Sequence, residues 1–436
     1  MVSSFQNWGT EPAHRSRKPV QLYHYRINPG ASVYLAVMLR QPSVLLVLPQ
    51  LPQDPASGAA RSLNTICHML AEAGFTVRAL ATTASELAAR QNPEEYLRTQ
   101  GFRISARRGS GERPEITFAE RGVSYRLLDT ARLDYLAWPK LYNRQFDRMF
   151  DQELREFQPD IVFTFGGHPT DVARRRRARR QGVKVVFGLR NEGYLTPGGL
   201  DEVDAILSAS EFLAQRYRHA AGVESTPLPL PIEISEVVAD ERQPIFVTMI
   251  NPSPEKGLMV FARIAEQLVA RDPTVAILVI ESRGSGGMLA GAALAGGFDL
   301  RPHENIMVST AVPLPKDIYA GTRVLVAPSV WEEPAGRVAA EALVNGIPPI
   351  VSDRGGLAEV ANGGGFVIPI PAEITPQTPT PVRPEVAEPW VDLILRLRDD
   401  AIYAEASKRA LEAGRIYHRE ILVPRYRQFF EQVLMK

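Results

Sequence analysis

Glu333 and Glu341 stand eight residues apart in the stretch Ala327-Pro-Ser-Val-Trp-Glu-Glu-Pro-Ala-Gly-Arg-Val-Ala-Ala-Glu-Ala-Leu343. The apolar run from Thr322 to Pro328 predicts a short buried strand that ends at a proline. After a loop, Gly336 opens a helical pattern through Val338, Leu343 and Val344, which stops at Gly346 with Pro348 behind it. Glu333 then falls in the loop and Glu341 on the second helical turn. Between them, the free N–H groups of the helix start at Gly336, Arg337 and Val338 form a ready anion site. One carboxylate at the mouth, a phosphate cradle and a second carboxylate deeper make a layout for gripping a sugar nucleotide. Sugar hydroxyls would meet Glu333, the diphosphate the helix start, and the ribose diol Glu341. Two unrelated glutamates on a surface helix are the plain alternative, and the strand–loop–helix–strand context weighs against it.

Other residues at strand ends could serve the same chemistry. Pro254-Glu-Lys-Gly257 follows an apolar strand, which places Lys256 at a carboxyl strand end where a fixed cation neutralises a leaving diphosphate. An ordinary turn with a solvated lysine is the competing reading. Arg337, beside the helix start, is the candidate for a second cation, ahead of Arg354 and Arg283. Gly58 lies in the loop after the first strand and offers close backbone approach. His168 closes Phe165-Gly-Gly-His168 at the end of a buried strand, against the reading of a structurally bonded histidine. Asn191 and Glu192 end the next strand, where they could reach the acceptor or the sugar. No His/Cys/Asp/Glu grouping has metal-ligand spacing, and no protein nucleophile is evident.

The elements that must hold these residues alternate. From Ser43 to about Leu230, apolar strands and amphipathic helices follow one another, and a second series runs from Pro244 to Val351. Such alternation predicts parallel sheets with crossover helices, hence an α/β protein of two Rossmann-like domains facing a central cleft. The expected boundaries are 1–41 for a polar, aperiodic and poorly structured extension, 42–235 for the first domain and 236–415 for the second. Residues 416–436 form a closing helix, and Pro369 to Pro389 reads as a surface loop.

Composition narrows the class. The 436 residues are 45% apolar and 23% charged, enough for two cores, and the net charge of +1 argues against a nucleic-acid binder. The single Cys67 excludes an internal disulfide, fits a reducing compartment and sits in an apolar helical pattern. Without a spanning run or a signal-peptide pattern, the cytoplasm is the expected location. Six arginines between Arg174 and Arg180 read mainly as a solvated helix; the sharper reading is weak attraction to a membrane surface at its inner face.

At Pro328-Ser…Glu333…Gly336…Glu341-Ala, followed by a strand and Gly355-Gly-Leu-Ala-Glu359, the sequence resembles the retaining family-4 glycosyltransferases of the GT-B fold. The resemblance is dense over about a hundred residues and loose elsewhere. It implies transfer of a sugar from a nucleoside diphosphate to a carbohydrate, lipid-linked or small-molecule acceptor, with retention at the anomeric carbon and no cofactor or metal. It implies a sugar contact for His168 and a last helix that crosses back onto the first domain. Three positions depart from the family pattern: Ala335 replaces an aromatic, Ser57 the first glycine of a pair, and Asn251 the arginine that accompanies Lys256 in donor binding. A sugar-nucleotide epimerase on the same fold and a non-catalytic nucleotide-sugar binder are the alternatives.

Overall fold

The computed structural model describes residues 22–28, 31–36, 41–54, 57–85, 92–109, 111–130, 140–195, 197–309, 314–361 and 363–436. The chain divides into two units, 1–42 and 43–436. In the first, β1 (Leu22–Asn28) pairs antiparallel with β2 (Ala31–Ala36), a hairpin that the polar, aperiodic sequence did not announce.

The second unit holds two sheets. The first is built from β3 (Ser43–Val47), β4 (Thr76–Thr82), β5 (Ser105–Arg107), β6 (Glu115–Glu120), β7 (Val123–Leu128), β8 (Ile161–Thr164), β9 (Lys184–Leu189), β10 (Ala205–Ser208) and β11 (Thr226–Pro227). Its order is β11-β10-β9-β8-β3-β4-β7-β6-β5, with parallel pairing except that β6 runs antiparallel to both β7 and β5. The second contains β12 (Phe246–Ile250), β13 (Ile277–Ile280), β14 (Ile306–Ser309), β15 (Thr322–Ala327), β16 (Pro349–Ser352) and β17 (Phe366–Ile368). Its order is β14-β13-β12-β15-β16-β17, parallel throughout. Central strands such as Ser43–Val47 and Pro349–Ser352 are buried along their whole length, as strands covered by helices on both faces must be.

Strand order fixes where a ligand can bind. In each sheet one early strand has a later neighbour on one side and its sequential neighbour on the other, and the loops there diverge into a crevice. The first sheet reverses between β3 and β8, whose following loops carry Gly58 and His168. The second reverses between β12 and β15, whose following loops carry Lys256 and Glu333. The last helix, Arg419–Met435, returns to the first sheet, where Phe430 meets Phe75 and Phe163 edge-on and the Tyr426 hydroxyl donates to the Pro229 carbonyl.

Two local readings need correcting. The proline-rich stretch is a loop to Arg383, where the helix Pro384–Arg396 starts. Pro384 sits at its first turn, where a missing N–H costs nothing, and Pro389 lies inside it. The arginine run, on helix Pro169–Arg180, is not a free basic face. Arg174 is buried against Asp147 and Asp171 with its guanidinium over Phe146. Arg175 donates to the carbonyls of Gly166, Gly199 and Asp201. Arg176 and Arg179 pair with Glu202, Arg179 also with Asp204, and Arg177 with Asp147 and Asp151. Apart from Asp171 on the same helix, these acids come from neighbouring elements, so much of the charge is paired, while Arg176, Arg179 and Arg180 stay exposed as on a solvated helix. No helix among the described residues is long and apolar enough to cross a membrane.

Replacing Arg175 with leucine strands three carbonyls at once and should lower the unfolding free energy by about 3 kcal/mol. Arg180→Ala should leave it unchanged. Paired denaturant titrations check this, and an Arg175→Leu protein as stable as the wild type would show that the run carries no structural load.

Candidate functional site

The loops after β12 and β15 are zipped together. The Glu255 carbonyl accepts from the N–H groups of Val330 (3.1 Å) and Trp331 (3.3 Å) and from Ser329 Oγ (2.9 Å). This approach requires Gly257: its φ is +85°, and a Cβ there would lie 1.8 Å from the Pro328 carbonyl oxygen. The contact brings Lys256 Nζ to 2.5 Å from Glu333 Oε1, with the Trp331 ring centroid 5.9 Å from the same Nζ. Glu333 is buried at 6% exposure, whereas Trp331 is 40% exposed at the mouth. Glu333 is also held through its backbone, since its carbonyl accepts from Gly356 N at 2.7 Å and it bridges to Gly355. A Cβ on Gly355 would fall 2.4 Å from both Glu333 N and O.

The helix Arg337–Val344 begins behind this pair. Its N-cap is Gly336, left-handed at φ +65° and without a side-chain cap, so the first N–H groups, including those of Arg337 and Val338, have no intrahelical acceptor. Glu341 is 5% exposed, and both of its oxygens are in use: Oε2 accepts from the Tyr319 hydroxyl at 2.8 Å and Oε1 from Arg337 Nη1 at 3.3 Å. Burial and the facing carboxylate push the Tyr319 hydroxyl pKa well above its usual value.

Two donor-side expectations change. Arg337 does not stay at its own helix start. Its Nη2 reaches the first domain, donating to Ser62 Oγ at 3.0 Å and to the Pro231 carbonyl at 3.2 Å, while burial lowers its pKa. Asn251 commits its amide oxygen to the fold. It occupies the left-handed region at φ +61°, which asparagine tolerates better than most residues, and its Oδ1 accepts from Gly284 N at 2.7 Å. Its side chain shapes the β12 and β13 loops. Arg354 is likewise spent, on the carbonyls of Ile370 and Pro371.

On the first-domain side, Gly58 starts the helix Gly58–Glu72, capped by Ser57, and a Cβ there would meet nothing within 4 Å. His168 is exposed and caps Pro169–Arg180, its Nδ1 at 2.9 Å from Thr170 Oγ1. That contact fixes the ring and leaves Nε2 as the nitrogen a ligand would meet. Asn191 Oδ1 accepts from Gly193 N at 2.9 Å, a local turn, while Glu192 Oε1 lies 3.2 Å from Arg216 Nε. Among the described residues, no hydrogen bond joins His168, Asn191 or Glu192 to Lys256 or Glu333. No group of three acidic, histidine or cysteine side chains there could hold a metal.

Sequence reasoning missed the groups that fasten the two sides. Glu359 accepts from the N–H groups of Glu211 (3.0 Å) and Phe212 (2.9 Å), capping a first-domain helix from the second domain. Ser210 Oγ donates to the Pro334 carbonyl, and Arg216 spans Glu192 and Glu332. A cavity of 530 Å³ lies elsewhere, lined by His68, Glu72, Arg121, Glu233 and Arg419. Its arginines are already paired with its glutamates. The chemistry of the strand ends outweighs its size.

Two family models match the chain. Residues 57–228 match the one described as "Glycosyl transferase 4-like domain", and residues 241–377 the one described as "Glycosyl transferases group 1"; together they span more than half of the sequence. Among solved structures, sucrose-phosphate synthase from Thermosynechococcus elongatus is 16% identical, with a TM-score of 0.65 over 91% of this chain and 100% of that one. The catalytic domain of starch synthase IV from Arabidopsis thaliana, bound to ADP and acarbose, is 10% identical, with a TM-score of 0.65 over 91% of this chain and 100% of that one. HepE of Anabaena, in complex with UDP-glucose, is 13% identical, with a TM-score of 0.58 over 90% of this chain and 99% of that one. At such identities the likeness is one of fold. No curated protein matches the chain by sequence.

Lys256→Met leaves the buried Glu333 carboxylate without its cation and should cost about 1–3 kcal/mol of stability. Adding Glu333→Gln should restore part of that loss, because the two groups are coupled. Denaturant titration of the four-member cycle reads the coupling, and strictly additive losses would dissolve the pair.

Proposed function

We propose a function from one premise: the chain belongs to the group 1, family-4-like glycosyltransferases of the GT-B fold. It moves a sugar from a nucleoside diphosphate to an acceptor hydroxyl, with retention at the anomeric carbon and without a metal. The observation that carries this reading is the Lys256–Glu333 ion pair, set at the switch point of the second sheet beside an uncapped helix start.

In the proposed reaction the diphosphate lies along the helix start at Gly336 to Val338. Lysine has three N–H donors, so Lys256 can keep Glu333 and still give a hydrogen bond to a leaving phosphate oxygen. Glu333 thereby holds the cation in place before the donor arrives, which removes reorganisation from the transition state. The second Glu333 oxygen and His168 Nε2 take sugar hydroxyls, and Glu341 takes the ribose. The acceptor hydroxyl attacks on the face the diphosphate is leaving, and a diphosphate oxygen receives its proton, so no protein nucleophile is required. Gly58 leaves open backbone on the opposite wall, and Asn191 and Glu192 lie toward the acceptor side.

The nucleotides named in the related structures make UDP- and ADP-sugars the first donors to test, with carbohydrate and lipid-linked acceptors. The commitment of Asn251 to Gly284 favours a second reading, a nucleotide-sugar binder with weak or no turnover. Donor hydrolysis across a panel of nucleotide sugars separates the two.

Lys256→Ala should lower turnover on the order of a hundredfold while donor affinity falls much less, as expected for charge used mainly in the transition state. The α or β form of the released sugar, read by NMR within the first turnovers, tests retention. Inversion would rule out the proposed same-face attack. A raised Michaelis constant with unchanged turnover would make Lys256 a binding group.

A further inference from the structure

Strand β9 ends at Leu189, and the next residue is an arginine that the fold buries to 7% exposure. The Nη1 of Arg190 donates to the Leu189 carbonyl at a long 3.4 Å. Its Nε and Nη2 are shielded from solvent and have no acceptor among the described residues. The other buried arginines of this domain are supplied: Arg174 has two carboxylates and Arg175 three carbonyls. Arg190 interacts electrostatically with the Tyr426 hydroxyl, which itself donates to a carbonyl, and with the Arg337 guanidinium of the other domain. Burial pulls its pKa down to about 10, and the neighbouring cation adds to that effect. A native structure rarely leaves such donors unmet without a ligand to fill them.

The identity of the unmet atoms is specific. Nε and Nη2 form one edge of the guanidinium, whose parallel N–H bonds match two oxygens of a phosphate or carboxylate. That edge lies one strand away from β8, whose following loop carries His168, at the carboxyl ends where ligands of such sheets bind. Arg337, whose charge acts against that of Arg190, is the first residue of the helix that starts behind Lys256 and Glu333.

We infer that Arg190 is an anion-binding residue of the first domain, whose unmet guanidinium edge takes an oxyanion of the donor: a phosphate group, or a carboxylate on its sugar. The ligand's identity rests on the glycosyltransferase reading above. The site would supply a cation from the first domain, in addition to Lys256 of the second.

Calorimetry tests this with inorganic pyrophosphate, a nucleoside diphosphate that the wild type binds, and the glucosyl and glucuronosyl esters of that nucleotide. If the anion is the diphosphate, Arg190→Met weakens all of them tenfold or more. If it is a sugar carboxylate, Arg190→Met weakens only the glucuronosyl ester. Arg190→Lys, which keeps the charge and loses the fork, should fall between. Without ligand, Arg190→Met should melt no lower than the wild type, because a buried charge with unmet donors has been removed. Unchanged affinity for every ligand overturns the inference, and so does a melting temperature lowered by several degrees, which marks a structural arginine. Transfer is read separately. A wild type that binds pyrophosphate through Arg190 yet turns over no nucleotide sugar removes the transferase reading and leaves the anion site standing.

Discussion

Two backbones meet at Gly257 and Pro328 with no room for a side chain between them. That contact joins the loops after β12 and β15, and the donor side of the crevice depends on it. The Glu255 carbonyl can receive its three hydrogen bonds because the loops are this close. Those bonds in turn fix the separation of Lys256 and Glu333. Gly355 repeats the device on the far side of Glu333, where the backbones of the two loops lie too close for any Cβ. An ion pair between flexible side chains in water is worth little. Here the backbones are positioned first and one partner is buried, so less conformational freedom is lost in forming the pair.

The two domains share a buried apolar cluster that includes Leu63, Tyr319, Leu343 and Tyr426, and polar groups fasten its margin. Glu359 presents a carboxylate to the start of the Glu211–Ala221 helix, where both the unpaired N–H groups and the helix dipole favour negative charge. Ser210, Arg216 and Arg337 each reach across to a carbonyl, a hydroxyl or an acid. Water can replace every one of these bonds, whereas the apolar cluster shared by the domains opposes their separation.

The sequence revealed whatever depends on near neighbours. The α/β alternation, the strand ends and the helix start at Gly336 follow from apolar runs and glycines within a dozen residues, and the structure contains them. Side-chain partners far along the chain were not readable. Arg337 was assigned to its own helix start, but its partner Ser62 is 275 residues away in sequence. The arginine run suggested a solvated face because its acids, Asp147, Asp151, Glu202 and Asp204, lie on other elements. Asn251 occupies an arginine's place in the family pattern, and its backbone conformation and bond to Gly284 N belong to the folded loop. Arg190 could be read as a strand end, but its burial and its unmet guanidinium edge belong to the folded chain.

Glu341 ties these threads together. A carboxylate assigned to a ribose diol would be expected to stand open, yet Tyr319 and Arg337 each occupy one of its oxygens and little of it is exposed. Each oxygen has a second lone pair, so the existing partners do not forbid a diol; they fix the rotamer it would meet. The two bonds are unequal. Tyr319 holds at 2.8 Å, whereas the Arg337 bond is long at 3.3 Å and its donor is shared with no other carboxylate among the described residues. An anion drawn to Arg337 would therefore compete with Glu341 for the same guanidinium, and any weakening of that bond would turn the carboxylate toward a ribose. In the proposed reaction, diphosphate and ribose are then not independent anchors. Binding at one prepares the other, and by linkage the coupling must run equally in both directions.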